Sequence, residues 1–354
     1  VTIPSYRADL ERSVDLIEEV ARISGYEKVP EVLPERAPVD AEPNRLYEFG
    51  EKTRNFLAGA GLYDTVTFSL VNPAHFEASG FNLQEAVEVQ NPIHQELTLL
   101  RPSFFASLLE VMARNERSGT YGISIFEVAH LYSRLGKKDL PLAETKAVGL
   151  LLGGRREAGW NDTKRDYNFF DLKGLIETYF NFLGIEKFNF QTDSFTFLDP
   201  GAQIYAGKER VGFLGEVAAL VRNRWDLRAR AFYGEIDLEK LLGLVPHDHK
   251  FKEFPKYPAI ERDLSLVVEE SFAVGAIEEA IEKMGQGLIR KIELFDLFRG
   301  GRIPAGRKNL AFRLTYQSKE RTLLSEEIQN LHTRIAAELA KRFQAAFQQK
   351  GAGL

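Results

Sequence analysis

The stretch DLSLVV at residues 263–268, followed by IRKIELFDLF at 289–298 and NLAFRLTYQ at 309–317, decides how the last third of the chain folds. Successive residues of a strand face opposite sides, so Leu264, Leu266 and Val268 share one face of the first run. Helical spacing runs from about Val274 to Met284. A final helix is predicted from Ser325, whose hydroxyl can cap it while Glu326 and Glu327 complement the helix dipole. Ile328, Leu331, Ile335, Leu339 and Phe343 fall on its buried stripe, with Lys341 and Arg342 at its favourable C-terminal end. The order β, α, β, β, α, with a last strand near the terminus, is the split βαβ of ferredoxin-like folds.

Working outward, 354 residues suffice for two or three domains of about 100 to 200 residues each. Apolar residues make up 44% and charged residues 27%, and no run approaches the ~20 apolar residues needed to span a bilayer. This is the composition of a soluble globular chain. It begins at Val1 without a visible secretory signal, which suggests a processed or partial chain. The absence of cysteine excludes disulfides, thiolate metal sites and a Cys nucleophile, and fits a reducing cytoplasm.

Prolines 30, 34, 38 and 43 in VPEVLPERAPVDAEP mark one linker, and VPHDHKFKEFPKYP at 245–258 marks a second. Three parts result: 1–40, 45–245 and 252–354. The first is the end of a domain, an extended piece and one helix with apolar Val14, Ile17, Val20 and Ala21, stopped at Gly25 in a left-handed conformation. The second mixes helices with extended runs (TVTFSL, AVEVQNP, GISIFEVAHLYS, KAVGLLLG), which predicts an α+β domain with a mainly antiparallel sheet.

The formal charge is −5, yet Arg290 to Arg321 holds 9 basic and 3 acidic residues, the one basic patch in the chain. Arg299, Arg302, Arg307, Lys308 and Arg313 alternate there with Phe295, Phe298, Phe312 and Tyr316, the composition of a single-stranded RNA platform. Phe312 and Tyr316 share a strand face with Leu310 and Leu314 and read as core, as do the aromatics generally. Arg313 faces the other way and is the better contact. Asp9, Asp15, Glu18 and Glu19 form the densest carboxylate set, either a Mg²⁺ site or a solvated acidic face at a helix start. His247 and His249 flank Asp248 in the second linker, where a metal site lacks scaffolding. No G-x-G-x-x-G, G-x-x-x-x-G-K-[ST], G-x-S-x-G or H-E-x-x-H occurs.

DLIEEVARISGYEKVP (15–30), LLRPSFFASLLEVMARN (99–115), ISIFEVAHLY (123–132), FFDLKGLIE (169–177), VGFLGEV (211–217) and FPKYPAIERDLSLVVEE (254–270) together resemble, in order, the beta subunits of bacterial phenylalanyl-tRNA synthetases. IELFDLFRG (292–300) and NLAFRLTYQSKERTL (309–323) extend that similarity. The resemblance implies a fragment lacking an N-terminal editing domain. It implies an alpha-subunit partner that carries the aminoacylation site, in a two-alpha, two-beta heterotetramer using ATP to attach phenylalanine to tRNA(Phe) in the cytoplasm. It further implies a class II synthetase-like core and a ferredoxin-fold anticodon-binding domain.

Residue by residue, the family's four carboxylates for a Mg²⁺ shared with the alpha subunit fall on Asp9, Asp15, Glu18 and Glu19. Matching Phe126, Glu127 and Val128 to the second class II motif puts Ser133 at the phosphate-gripping arginine and Leu135 at its partner glutamate. Arg134 is one residue out of register and so faces the other side. The resemblance thereby implies a core that is catalytically silent and serves assembly and tRNA docking. For tRNA contact, Arg262, Arg299, Arg302, Lys308 and Arg313 are selected by charge and strand facing. The rival readings are a free-standing RNA-binding or regulatory module, and an acyl-phosphate hydrolase on the ferredoxin-like fold.

Overall fold

A computed structural model describes residues 1–32, 43–80, 86–137, 140–156, 160, 163–246, 251, 253–301 and 303–347. Most of the first proline-rich linker, together with His247, Asp248, His249 and Arg302, lies outside these residues. The chain divides into two compact units, Val1–Glu48 and Phe49–Leu354.

The first unit contains helix α1 (Ser13–Ser24) and a 3-10 turn over Tyr26–Lys28. No residue of α1 is buried, and Val14, Ile17, Val20 and Ile23 are exposed along it. A single amphipathic helix in so short a piece has nothing to bury its apolar stripe against, as expected from the sequence. Gly25 ends the helix at φ +92°, a conformation open to glycine, although ψ 122° lies outside the left-handed helical well the sequence predicted.

The second unit starts within α2 (Arg45–Gly59) and continues through β1 (Tyr63–Asp64), β2 (Leu70–Val71), α3 (Pro73–Ala78), β3 (Val87–Glu88), β4 (Leu99–Leu100) and α4 (Phe105–Arg117). The long strands β5 (Gly122–Lys137) and β6 (Leu140–Gly154) follow, then α5 (Phe169–Phe182), β7 (Phe188–Asp193), β8 (Leu198–Ala206) and β9 (Glu209–Val217). Next come α6 (Ala219–Arg224), β10 (Ala231–Asp237) and α7 (Leu238–Leu244). Seven strands join in the order β1-β5-β6-β10-β9-β8-β7, antiparallel except for β1 against β5.

Both faces of this sheet are buried, which explains the continuous apolar run Leu150 to Leu152. Leu150, Leu152, Phe126 and Phe232 pack with Leu172 and Ile176 of α5 and Leu241 of α7. Leu151, Ile125 and Tyr233 pack on the opposite side with Leu108 and Met112 of α4 and Val221 of α6. Gly149 lets the start of α4 approach the sheet, because a Cβ there would lie 2.6 Å from Phe104 Cβ.

The predicted strand TVTFSL is mostly loop. Val66 and Phe68 point outward, and Thr67 is held instead by side chains: its hydroxyl donates to Glu127 Oε2 at 2.7 Å and accepts from Arg101 Nη1 at 2.7 Å. A buried ion pair, Arg101 Nη1 to Glu127 Oε1 at 2.9 Å, therefore overrides the alternation that suggested a ladder. The neighbouring β2, β4 and β3 form a small three-stranded sheet.

C-terminally, β11 (Ile260–Glu269), α8 (Val274–Met284), β12 (Ile289–Phe298), β13 (Arg307–Tyr316), α9 (Ser325–Phe343) and β14 (Ala346–Phe347) occur in the ferredoxin-like order. Their sheet runs β12-β13-β11-β14. Leu264, Leu266, Phe312 and Leu314 meet Ile277 and Ile281 of α8 and Ile335 and Leu339 of α9; on the other face Val267, Asn309 and Ala311 are buried, while Asp263 is exposed and Arg313 half-buried. Ser325 is the first helical residue rather than the cap: extended Leu324 precedes it, and no side-chain cap bond forms. Among the described residues no helix is long and apolar enough to cross a membrane.

Arg101→Ala should leave Glu127 buried without its cation and lower stability by about 3–5 kcal/mol, measured by urea denaturation of purified variant and parent.

Candidate functional site

The acidic helix is built around an arginine. Arg7 Nη2 lies 2.7 Å from Asp9 Oδ2 and 2.7 Å from Glu19 Oε1, and Arg22 Nη2 is 2.6 Å from Glu19 Oε2. Hydrogen bonds from Arg7, and then from Arg22, hold the Glu19 carboxyl down at about 2, and Arg7 likewise lowers Asp9. Asp15 is occupied differently: its Oδ2 accepts the backbone N–H of Glu11 at 2.9 Å and of Arg12 at 2.7 Å, closing the first turn of α1. Glu18 is exposed on the same helix.

These four carboxylates do not converge on one point. Two are neutralised by one guanidinium and a third satisfies backbone donors. Among the described residues no group of three or more His, Asp or Glu is arranged to hold a metal ion. The arrangement as it stands does not fit a Mg²⁺ held by all four, and Arg7 is the cation that takes up the charge of Asp9 and Glu19.

At the other end of the chain, the sheet face away from α8 and α9 carries Arg313. Its guanidinium grips Asp263 through two bonds of 2.9 and 3.2 Å and stands 5.1 Å from the centre of the Phe295 ring. Arg299 pairs with Glu270 at 2.7 Å. Lys308 is only 7% exposed and its ammonium donates to the Glu270 carbonyl at 2.8 Å. Arg262 lies on the helix-facing side of β11, its Nη1 donating to the Glu261 carbonyl at 2.9 Å, near the buried Tyr316–His332 pair. Arg313 thus stands on the face away from the helices, whereas Lys308 and Arg262 are in register with Val268 and Leu314 on the helix side.

Phe312 and Tyr316 are core, as the sequence predicted. Phe295 and Phe298 are not: they are 49% and 51% exposed. Strict alternation from Leu294 would turn Phe298 inward. An irregularity between Leu294 and Asp296 shifts the register, so that Leu297 sits opposite Leu310 and Phe298 opposite Asn309. One extra residue reverses the facing of everything after it. Both strands are ten residues long, so neither length nor periodicity signals this irregularity in the sequence.

Three family models match the chain in sequence. Residues 29–238 match the phenylalanyl tRNA synthetase beta chain CLM domain, 255–348 the ferredoxin-fold anticodon binding domain and 1–26 the tRNA synthetase B5 domain. The chain belongs to the phenylalanyl-tRNA synthetase beta chain family. The phenylalanine–tRNA ligase beta subunit of Geobacillus kaustophilus is 31% identical over 98% of this chain and 44% of its own length. That of Moorella thermoacetica is 33% identical over 99% and 44% respectively. The chain therefore spans a little under half the length of these relatives. Among solved structures, pyrrolysyl-tRNA synthetase from Desulfitobacterium hafniense aligns with 68% of this chain and 82% of its own at a TM-score of 0.47 and 17% identity, a likeness too slight to argue from.

In this beta-chain core, β5 carries the positions matched to the second class II motif. Ser133 lines a cleft on the α4 side of the sheet, while Arg134 donates through Nη2 to the Ala86 carbonyl at 3.1 Å. The Arg134 guanidinium is thereby engaged with backbone.

Glu19's depressed pKa means that its favourable pairing is complete above the usual carboxylate range and lost as pH falls through about 2. In Arg7→Ala the Glu19 midpoint should move up toward the ordinary value, read from the side-chain carboxyl carbon shift in an NMR titration.

Proposed function

We propose that this chain is the assembly and tRNA-docking part of a phenylalanine–tRNA ligase beta subunit, acting in the cytoplasm with an alpha subunit in a two-alpha, two-beta ligase. The ligase uses ATP to attach phenylalanine to tRNA(Phe), with the chemistry carried by the alpha subunit. The observation that carries this reading is the anticodon-binding match at 255–348 coinciding with a sheet face away from the helices where exposed Phe295 lies beside Arg313 and exposed Phe298 stands further along the same strand. Exposed rings next to a guanidinium suit unstacked bases and their phosphates. In this reading Arg313 and Arg299 are phosphate contacts reached by exchanging Asp263 and Glu270 for the nucleic acid. Arg262, Arg302 and Lys308 remain part of the proposed basic set, the buried Lys308 acting by holding the Glu270 backbone in place.

Ser133 at the arginine position supports a core without adenylate-forming chemistry of its own. The alpha subunit would meet an apolar surface: Tyr63, Val66, Phe68 and Ile93 are all exposed, and Val66 and Phe68 line one cleft with Val71 and Leu97. The domain division that goes with this reading is 1–40, 45–245 and 252–354. For Asp9, Asp15, Glu18 and Glu19, the proposal is a Mg²⁺ shared with the alpha subunit, and it requires the ion to displace Arg7 from Asp9 and Glu19.

Size-exclusion chromatography with light scattering, on this chain alone and mixed with an alpha subunit with and without Mg²⁺, should give a complex strengthened by Mg²⁺. No complex under any condition would favour a free-standing RNA module. Binding of tRNA(Phe) to that complex should fall steeply with salt, and Arg313→Ala should lower the log–log slope by about one. Phe298→Ala should weaken binding by about 1–3 kcal/mol with the slope unchanged, as loss of a stacking ring predicts.

A further inference from the structure

On the α4 side of the seven-stranded sheet, one cross-strand row reads Gln203 on β8, Phe213 on β9, Glu235 on β10, Gly149 on β6 and Glu127 on β5. The start of α4 covers this row at Gly149, where Phe104 packs. Glu235 stands at the edge of that cover. Its Oε2 belongs to the helix start, accepting Ser103 Oγ at 2.7 Å, the Phe104 N–H at 3.0 Å and Tyr233 Oη at 2.5 Å. Its Oε1 accepts no hydrogen bond from the described residues.

Glu235 lines a cleft of about 370 Å³, and with Oε2 taken by the helix start and Tyr233, Oε1 is the oxygen left to serve it. Glu235 is 8% exposed, so nearly all of its contact with solvent has been lost while one acceptor stays without a donor. Phe195, Phe197 and Phe213 wall the cleft, their ring centres 5.5 to 5.7 Å apart, and the strand register sets Phe213 directly beside Glu235. The other carboxylate of the cleft, Asp237, already has Lys240 Nζ 3.6 Å from Oδ2 and caps α7 through Lys240 N–H. Arg210 lies at the exposed rim. Glu235 is therefore the deep anion of the cleft with a free acceptor, set against aromatic faces.

We propose that this cleft binds a small primary ammonium compound with a flat apolar body, the ammonium donating to Glu235 Oε1 and the body lying on Phe213 and Phe197. Aromatic faces beside a carboxylate favour a cation twice over, through the ring quadrupole and through the charge-assisted hydrogen bond. Burial pushes the Glu235 carboxyl up, and a cation in the cleft offsets that burial. The site is independent of tRNA docking and of the alpha subunit, and uses none of the residues assigned to either.

Benzylamine and its neutral isostere benzyl alcohol, titrated into the complete 354-residue chain by calorimetry and NMR, test the site. Benzylamine should bind saturably and about tenfold or more tighter than the alcohol. Glu235→Gln should abolish that preference, and Phe213→Leu, which leaves the carboxylate in place, should weaken both compounds. Absence of saturable benzylamine binding, equal affinity for the alcohol, or benzylamine affinity unchanged in Phe213→Leu would each overturn the proposal. Should Glu235→Gln fail to fold, the Phe213→Leu comparison decides alone.

Discussion

Arg101 and Glu127 place opposite charges 2.9 Å apart where α4, β5 and the loop after β1 meet, with almost no access to water. Removing two ions from water costs several kcal/mol each, so such a pair persists only if its remaining donors and acceptors are filled. They are filled by Thr67, by the His130 carbonyl, which Arg101 Nε reaches at 3.3 Å, and by the Phe104 ring 4.5 Å beneath the guanidinium. Three separate stretches of chain are thereby held to one point. The start of α4 is set on the sheet at Gly149, and the loop after β1 gives up its ladder.

From that placement follows the division of the α4 face. The helix covers part of β5 and β6, while the ends of those two strands join β8, β9 and β10 in lining a cleft beside it, with Phe213 of β9 and the neighbouring Phe195 and Phe197 as its aromatic wall. Glu235 lies on the boundary and serves both sides, one oxygen for the helix start and one for the cleft. Ser133 of β5 lines that cleft, while Arg134, the next residue, holds the Ala86 carbonyl.

Charge in this beta chain is largely neutralised close to where it arises. Arg7 holds Asp9 and Glu19, Arg299 holds Glu270, and Arg313 holds Asp263. Exposed pairs of this kind are each worth little, about 0–1 kcal/mol, because water and salt compete for both partners. That weakness suits exchange: a phosphate or a divalent cation can replace one member of a surface pair at small cost, which it cannot do for Arg101 and Glu127.

Composition and periodicity alone determined the ferredoxin-like order of the C-terminal part, the long strands of the core and the apolar stripes of α9 and α1. Each of these rests on local pattern, because a strand or helix must place its apolar residues on one side at the period of its own backbone. The family, too, was legible in the ordered motifs. Tertiary structure alone decided that Thr67 bonds to a buried ion pair instead of pairing in a strand, and that Asp15 closes a helix start. It also decided that Lys308 lies inside, and that Phe298 turns outward past an irregularity in β12. It set Gln203, Phe213 and Glu235 side by side from three strands. Those outcomes depend on partners distant in the chain and on register, and neither is encoded in the spacing of neighbouring residues.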